Sequence, residues 1–170
     1  MIPQIKRILY ATDLSKNSSY AFFYAMDLAK RYNSRIVILH SIESGHPISY
    51  AGSRVEGLIR RAKEEEQEVV REEIKKGLQE FCEKIEAQVG APCTELVSTI
   101  LVPLGHPVEE ILKTADEQGC DVIVLGTHGK GFLTQTFLGS VAGSVLQRTR
   151  KPIFVIPLPS EKTNIDWDQI

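Results

Sequence analysis

Cysteine, long apolar runs and charge of one sign are all scarce in this 170-residue sequence. Its three cysteines, Cys82, Cys93 and Cys120, are odd in number, and none forms a C-x-x-C pair. That excludes a zinc knuckle or a dithiol redox motif and predicts small buried thiols in a reducing compartment. No apolar run approaches the roughly 20 residues of a membrane span, so no membrane partner is expected. Met1–Arg7 leads into a strand without a secretory pattern, which points to a cytoplasmic protein. With a net charge of -2 and no basic stripe interleaved with aromatics, nucleic acid is not expected as a partner.

Several catalytic signatures are missing as well. There is no Gly-x4-Gly-Lys-Ser/Thr loop, no Gly-x-Ser-x-Gly elbow and no His/Cys metal cluster. The first strand–helix turn, Thr12–Ser18, contains no glycine, which argues against a dinucleotide fold. It also lacks the Ser-Gly-Gly loop of ATP pyrophosphatases. No catalytic residue and no protein-held metal are therefore assigned.

What is present alternates regularly. Apolar runs at Ile8–Ala11, Arg35–His40, Leu96–Val102, Asp121–Leu125 and Ile153–Ile156 read as strands, the second of them buried on both faces. Helical patterns lie between them. One is capped near Ser15 or Asn17, and one runs from Arg54 to Val89 with a stripe at Val70, Ile74, Leu78, Phe81 and Ile85. Another opens at Pro107 and stops at Gly119; the last closes on Arg148, Arg150 and Lys151. Lys63–Glu68 reads as a solvated stretch or a break, and residues 43–53 as a loop. Five strands alternating with helices predict one α/β domain with a doubly wound, five-stranded parallel sheet over residues 1–157. Residues 158–170 read as a polar tail that carries Trp167.

The chemistry concentrates after the fourth strand. Gly126-Thr-His-Gly129-Lys-Gly131 is followed by Gly139-Ser140 at a helix start. Glycines let backbone approach an anion, and the amides of a helix's first turn point at it. A phosphorylated ligand is the expectation. Each piece has a plainer reading: Gly126 and Gly129 as a tight turn, Asp13 as a cap of the first helix, His128 as a surface residue, and His40 as a packed, hydrogen-bonded group.

The pattern Gly126-x2-Gly129-x9-Gly139-Ser140 resembles that of ATP-binding members of the universal stress protein family. Ile8–Asp13, Gly105-His-Pro107 and Asp121–Gly126 agree, and the similarity extends from residue 5 to 156. The resemblance implies a Rossmann-like, adenine-nucleotide-hydrolase-like sheet of order 3-2-1-4-5. It also implies a homodimer paired along the fifth strands, Ile153–Ile156. ATP or a related adenine nucleotide, with Mg2+ or Mn2+ bridging its phosphates, would lie between strands 1 and 4. Ala11, Thr12, Asp13 and Ser41 would line the nucleoside end. Gly126, His128, Gly129, Lys130, Gly131, Gly139, Ser140, Val141 and Ala142 would surround the phosphates. ATP-binding relatives often carry Pro at position 11 and an apolar residue at position 41, so Ala11 and Ser41 depart from the pattern. The function implied is a nucleotide-dependent stress-response or signalling dimer. The competing readings are a nucleotide-free chaperone-like or structural dimer and a slow ATPase.

Overall fold

The computed structural model describes residues 1–43, 54–127 and 138–157. Five strands build one parallel sheet: β1 Arg7–Ala11, β2 Arg35–Leu39, β3 Val97–Leu101, β4 Val122–Gly126 and β5 Ile153–Ile156. Their spatial order is β3-β2-β1-β4-β5. β1 is central, pairing in register with β2 (Leu9 opposite Val37) and with β4 (Leu9 opposite Ile123). The connection winds outward from β1 to β3 and then returns to β4, so a crevice opens above the carboxyl ends of β1 and β4.

Period-2 alternation divides the core. Ile8 and Tyr10 of β1 face helix α1 (Lys16–Tyr32) and the end of α2 (Arg54–Lys84), in a cluster with Phe22, Met26, Leu78 and Ile85. Leu9 and Ala11 face the opposite layer, where α5 (Pro107–Glu117) and α6 (Ser140–Arg148) contribute Val108, Ile111, Ala115 and Val145. Helix α1 starts where Ser15 accepts the Ser18 amide, and it stops at Asn33, whose φ of 53° is left-handed. Arg148 in the last turn of α6 suits the negative helix end and also binds Glu109 in the first turn of α5, at 2.6 Å.

Three expectations need correction. The long helical pattern breaks at Ile85, after which α3 (Glu86–Val89) and α4 (Cys93–Leu96) are single turns that delay β3 to Val97. Val70 is 39% exposed, so the docking stripe of α2 begins one turn later, at Ile74. The third correction concerns the thiols, because Cys82 and Cys93 are joined in a disulfide with their Cα atoms 5.8 Å apart. Only Cys120 remains a free, buried thiol, and burial pushes its pKa up to about 11. The Lys63–Glu68 stretch is solvated helix without a break. The loop read at 43–53, beyond Glu43, and the tail at 158–170 lie outside the described residues.

Candidate functional site

At the end of β1 the chain leaves the sheet through a turn held by side chains. The Thr12 hydroxyl lies 2.8 Å from that of Ser18 and accepts the Leu14 amide at 3.0 Å. Ser18 Oγ donates to the Ser15 carbonyl at 2.8 Å, so the shared proton between Thr12 and Ser18 comes from Thr12. Ser15 donates both its amide (3.0 Å) and its hydroxyl (2.5 Å) to Asp13 Oδ1. Of the two readings of Asp13, the direct helix cap therefore belongs to Ser15, and Asp13 braces that cap from behind. Below the turn the Tyr10 hydroxyl donates to the Ser18 carbonyl at 2.6 Å, and burial pushes the phenol pKa well up.

β2 contributes the neighbouring wall. His40 Nδ1 lies 2.8 Å from the Thr12 carbonyl, which can only accept, so Nδ1 carries a proton. The packed, hydrogen-bonded role expected of His40 is what the structure gives. Ser41 Oγ donates to the Gly105 carbonyl at 2.6 Å, while the Ile42 amide donates to the Pro103 carbonyl and the Gly105 amide to the Ile42 carbonyl, each at 2.9 Å. These contacts tie the end of β2 to the β3–α5 connection.

The opposing wall follows β4. A Cβ at Gly126 would stand 2.9 Å from Nδ2 of the buried Asn17 at the start of α1, so a side chain there would force Asn17 to shift. Gly139 has an unremarkable φ of -57° and no side-chain cap, and its amide donates to Thr127 at 2.6 Å. Gly143 donates to the Gly139 carbonyl at 2.8 Å, which is the first backbone bond of α6. The intervening amides of Ser140, Val141 and Ala142 thus lack an acceptor inside the helix, at its positive end.

These walls enclose a cavity of about 340 Å³. Nine of the expected residues border it: Ala11, Thr12, Asp13, Ser41, Gly126, Gly139, Ser140, Val141 and Ala142. The other four, His128, Gly129, Lys130 and Gly131, lie outside the described residues. Sequence reasoning missed an apolar floor of Leu39, Ile111, Leu125 and Pro107, together with Ser18 and Thr127. For Ser18, Pro107 and Thr127 the available signal was their position at a helix start or just past a strand end. Asp13 is the one carboxylate among the described lining residues, which include no lysine or arginine. No group of three or more His, Cys, Asp or Glu able to hold a metal occurs among the described residues. Nor is any helix among them long and apolar enough to cross a membrane.

Comparison with known proteins agrees with this architecture. Residues 4–157 match the model of the universal stress protein family. Universal stress protein MJ0577 of Methanocaldococcus jannaschii is 30% identical over 158 residues, covering 89% of this chain and 94% of that protein. A solved structure of MJ0577 superposes with a TM-score of 0.64 at 26% identity, covering 91% of this chain and 96% of that one. Two more distant neighbours share the fold. A universal stress protein in complex with cAMP has 19% identity and a TM-score of 0.54, with 91% of this chain and 98% of that one covered. The universal stress protein from Archaeoglobus fulgidus in complex with dAMP has 22% identity and a TM-score of 0.53, with 92% and 99% covered. Sheet order, matched span and sequence identity agree: the chain belongs to the universal stress protein family.

Proposed function

We propose that this protein binds an adenine nucleotide, with ATP as the first candidate, in the crevice between β1 and β4 and acts as a nucleotide-dependent stress-response dimer. One observation carries the reading. Asp13 and the first-turn residues of α6, Ser140, Val141 and Ala142, border the same cavity, so helix-start amides suited to phosphate oxygens and an acceptor suited to neutral hydroxyls or amines would serve one ligand. A volume of about 340 Å³ falls at the lower end of the range of roughly 300–1,000 Å³ usual for small-molecule sites. The apolar floor at Leu39, Ile111 and Leu125 suits a purine ring, and Asp13 suits ribose hydroxyls or an exocyclic amine. The same fold is occupied by adenine nucleotides in the proteins solved with cAMP and dAMP.

In this reading the amides of Ser140, Val141 and Ala142 hold phosphate oxygens, and Gly139 keeps the approach open. A magnesium or manganese ion would be held by phosphate oxygens and water. Dimer pairing falls on β5, an edge strand on which Phe154 is 42% exposed. Calorimetric titration with ATP, AMP and cAMP is expected to give dissociation constants between micromolar and millimolar, about -8 to -4 kcal/mol. A saturable thermal shift with at least one of them should accompany it. Flat titrations and no shift with any adenine nucleotide would remove the reading. Light scattering should report a dimer that Phe154→Lys converts to monomer; a monomeric wild type would remove the dimer.

A further inference from the structure

We infer that Cys82 and Cys93 form a reversible redox site, a dithiol–disulfide pair that fastens the end of α2 to the start of β3. The inference is independent of nucleotide binding. Cys82 lies in the last turns of α2 and Cys93 opens α4, and the disulfide closes a segment whose ends are 11 positions apart in sequence. Between the two cysteines Ile85 alone is fully buried, and Val89 and Ala91 pack partly against the same cluster. Helix α3 buries none of its residues, and Gly90 ends it at a φ of 70°. Two polar ties remain: Lys30 Nζ to the Val89 carbonyl at 2.5 Å, and the Cys93 amide to Glu86 Oε1 at 2.7 Å. From residue 86 to residue 92 no side chain is fully buried, and a segment of that kind opens locally at low cost.

The fold also dictates which sulfurs can pair. Cys82 and Cys93 belong to the cluster on the α1 and α2 face of the sheet, whereas Cys120 lies in the cluster on the α5 and α6 face. The sheet separates Cys120 from the pair, so oxidation within one chain has a single product. Both paired residues are shielded, Cys82 fully and Cys93 with 5% of its surface exposed. Exchange therefore proceeds through opening of α3, with Cys93 the first sulfur reached. In the oxidising direction the Cys93 thiolate attacks a low-molecular-weight disulfide such as oxidised glutathione, forming a mixed disulfide and releasing one small thiolate. The Cys82 thiolate then attacks the Cys93 sulfur and expels the second. Two cysteine thiols lose two protons and two electrons, and the small disulfide becomes two thiols. Reduced glutathione runs the same steps backwards.

The experiment uses the whole chain in glutathione buffers. After oxidation, alkylation under denaturing conditions should count one thiol, assigned to Cys120 by peptide mass; after reduction it should count three. Reduction should lower Tm by about 5–10 °C and raise amide exchange over residues 85–96. Cys82→Ser should make Tm indifferent to reductant, whereas Cys120→Ser should keep the full effect. Should Cys82→Ser not fold, the wild-type chain with and without reductant decides alone. Three thiols after oxidation, an unchanged Tm on reduction, or a bridge that reduced glutathione cannot open in the folded protein would each overturn the inference.

Discussion

At the end of β1 the chain turns without a glycine and keeps its shape through Thr12, Asp13, Ser15 and Ser18, whereas across the crevice the start of α6 offers bare amides behind Gly139. The first wall positions a carboxylate with side-chain hydrogen bonds, and every hydroxyl proton in it has an acceptor. The second wall positions nothing of its own; it leaves donors for an anion. A ligand that is anionic at one end and rich in neutral hydroxyls at the other would use both. The walls should therefore fail in different ways when each is damaged.

The largest effect is expected at the backbone wall. Gly139→Val places a branched side chain where the helix start meets the cavity, while its φ and ψ of -57° and 157° remain open to any residue. Loss of two hydrogen bonds to a charged group, at about 1.5–3 kcal/mol each, predicts at least about a hundredfold weaker ATP binding. Adenosine, which has no phosphate, should bind the variant almost as it binds the wild type. Circular dichroism should be unchanged. Equal losses for ATP and adenosine would erase the proposed division between the walls.

Damage to the other wall should be smaller and indifferent to phosphate. Asp13→Ala removes the acceptor for ribose or adenine, a loss of about tenfold for ATP and adenosine alike, from one charged hydrogen bond of about 1.5 kcal/mol. Ser15→Ala leaves the carboxylate in place but deletes the 2.5 Å bond that orients it and the side-chain cap of α1. It should lower stability by about 1 kcal/mol, or roughly 2–4 °C, and weaken nucleotide binding only a few-fold. Calorimetry and thermal melts on the same two variants test this; a drop in affinity for Ser15→Ala as large as that for Asp13→Ala would show that Ser15 does more than orient.

The sequence carried most of the fold. Apolar runs fixed all five strands to within about a residue, because a parallel sheet covered on both faces leaves little doubt about which residues are inside. The Cys82–Cys93 bond was not legible. Two cysteines eleven positions apart become neighbours because the helix breaks at Ile85 and the chain turns at Gly90; the glycine marks a helix end, but nothing about Ile85 announces the earlier break. The site divided the same way. Motif residues at strand ends were readable, since a change from period 2 to period 3.6 marks them. Leu39, Ile111 and Leu125 looked like any other core residue, and their role as a floor depends on which layer leaves a gap. Gly126 showed a further limit: its glycine serves the packing of Asn17 as well as any ligand, and one letter cannot separate the two uses.

The glycine-free turn has a cost of its own, and the smallest prediction measures it. Leu14 sits at φ 65°, one of two described non-glycine residues in the left-handed region, and it is 41% exposed. A side chain in that region costs roughly 1–2 kcal/mol. Glycine would relieve this but lose about 0.5–1 kcal/mol through its freer unfolded chain. Leu14→Gly should therefore raise stability by at most about 1.5 kcal/mol, a gain of no more than roughly 3–6 °C in a thermal melt. The Leu14 amide bond to Thr12 Oγ1 at 3.0 Å involves no side chain of Leu14, so nucleotide affinity should hold. A fall in Tm would mean that the exposed leucine contributes packing greater than its strain. Lost affinity at unchanged Tm would mean instead that the leucine itself forms part of the crevice rim, and that the side-chain wall reaches one residue further than the hydroxyl network does.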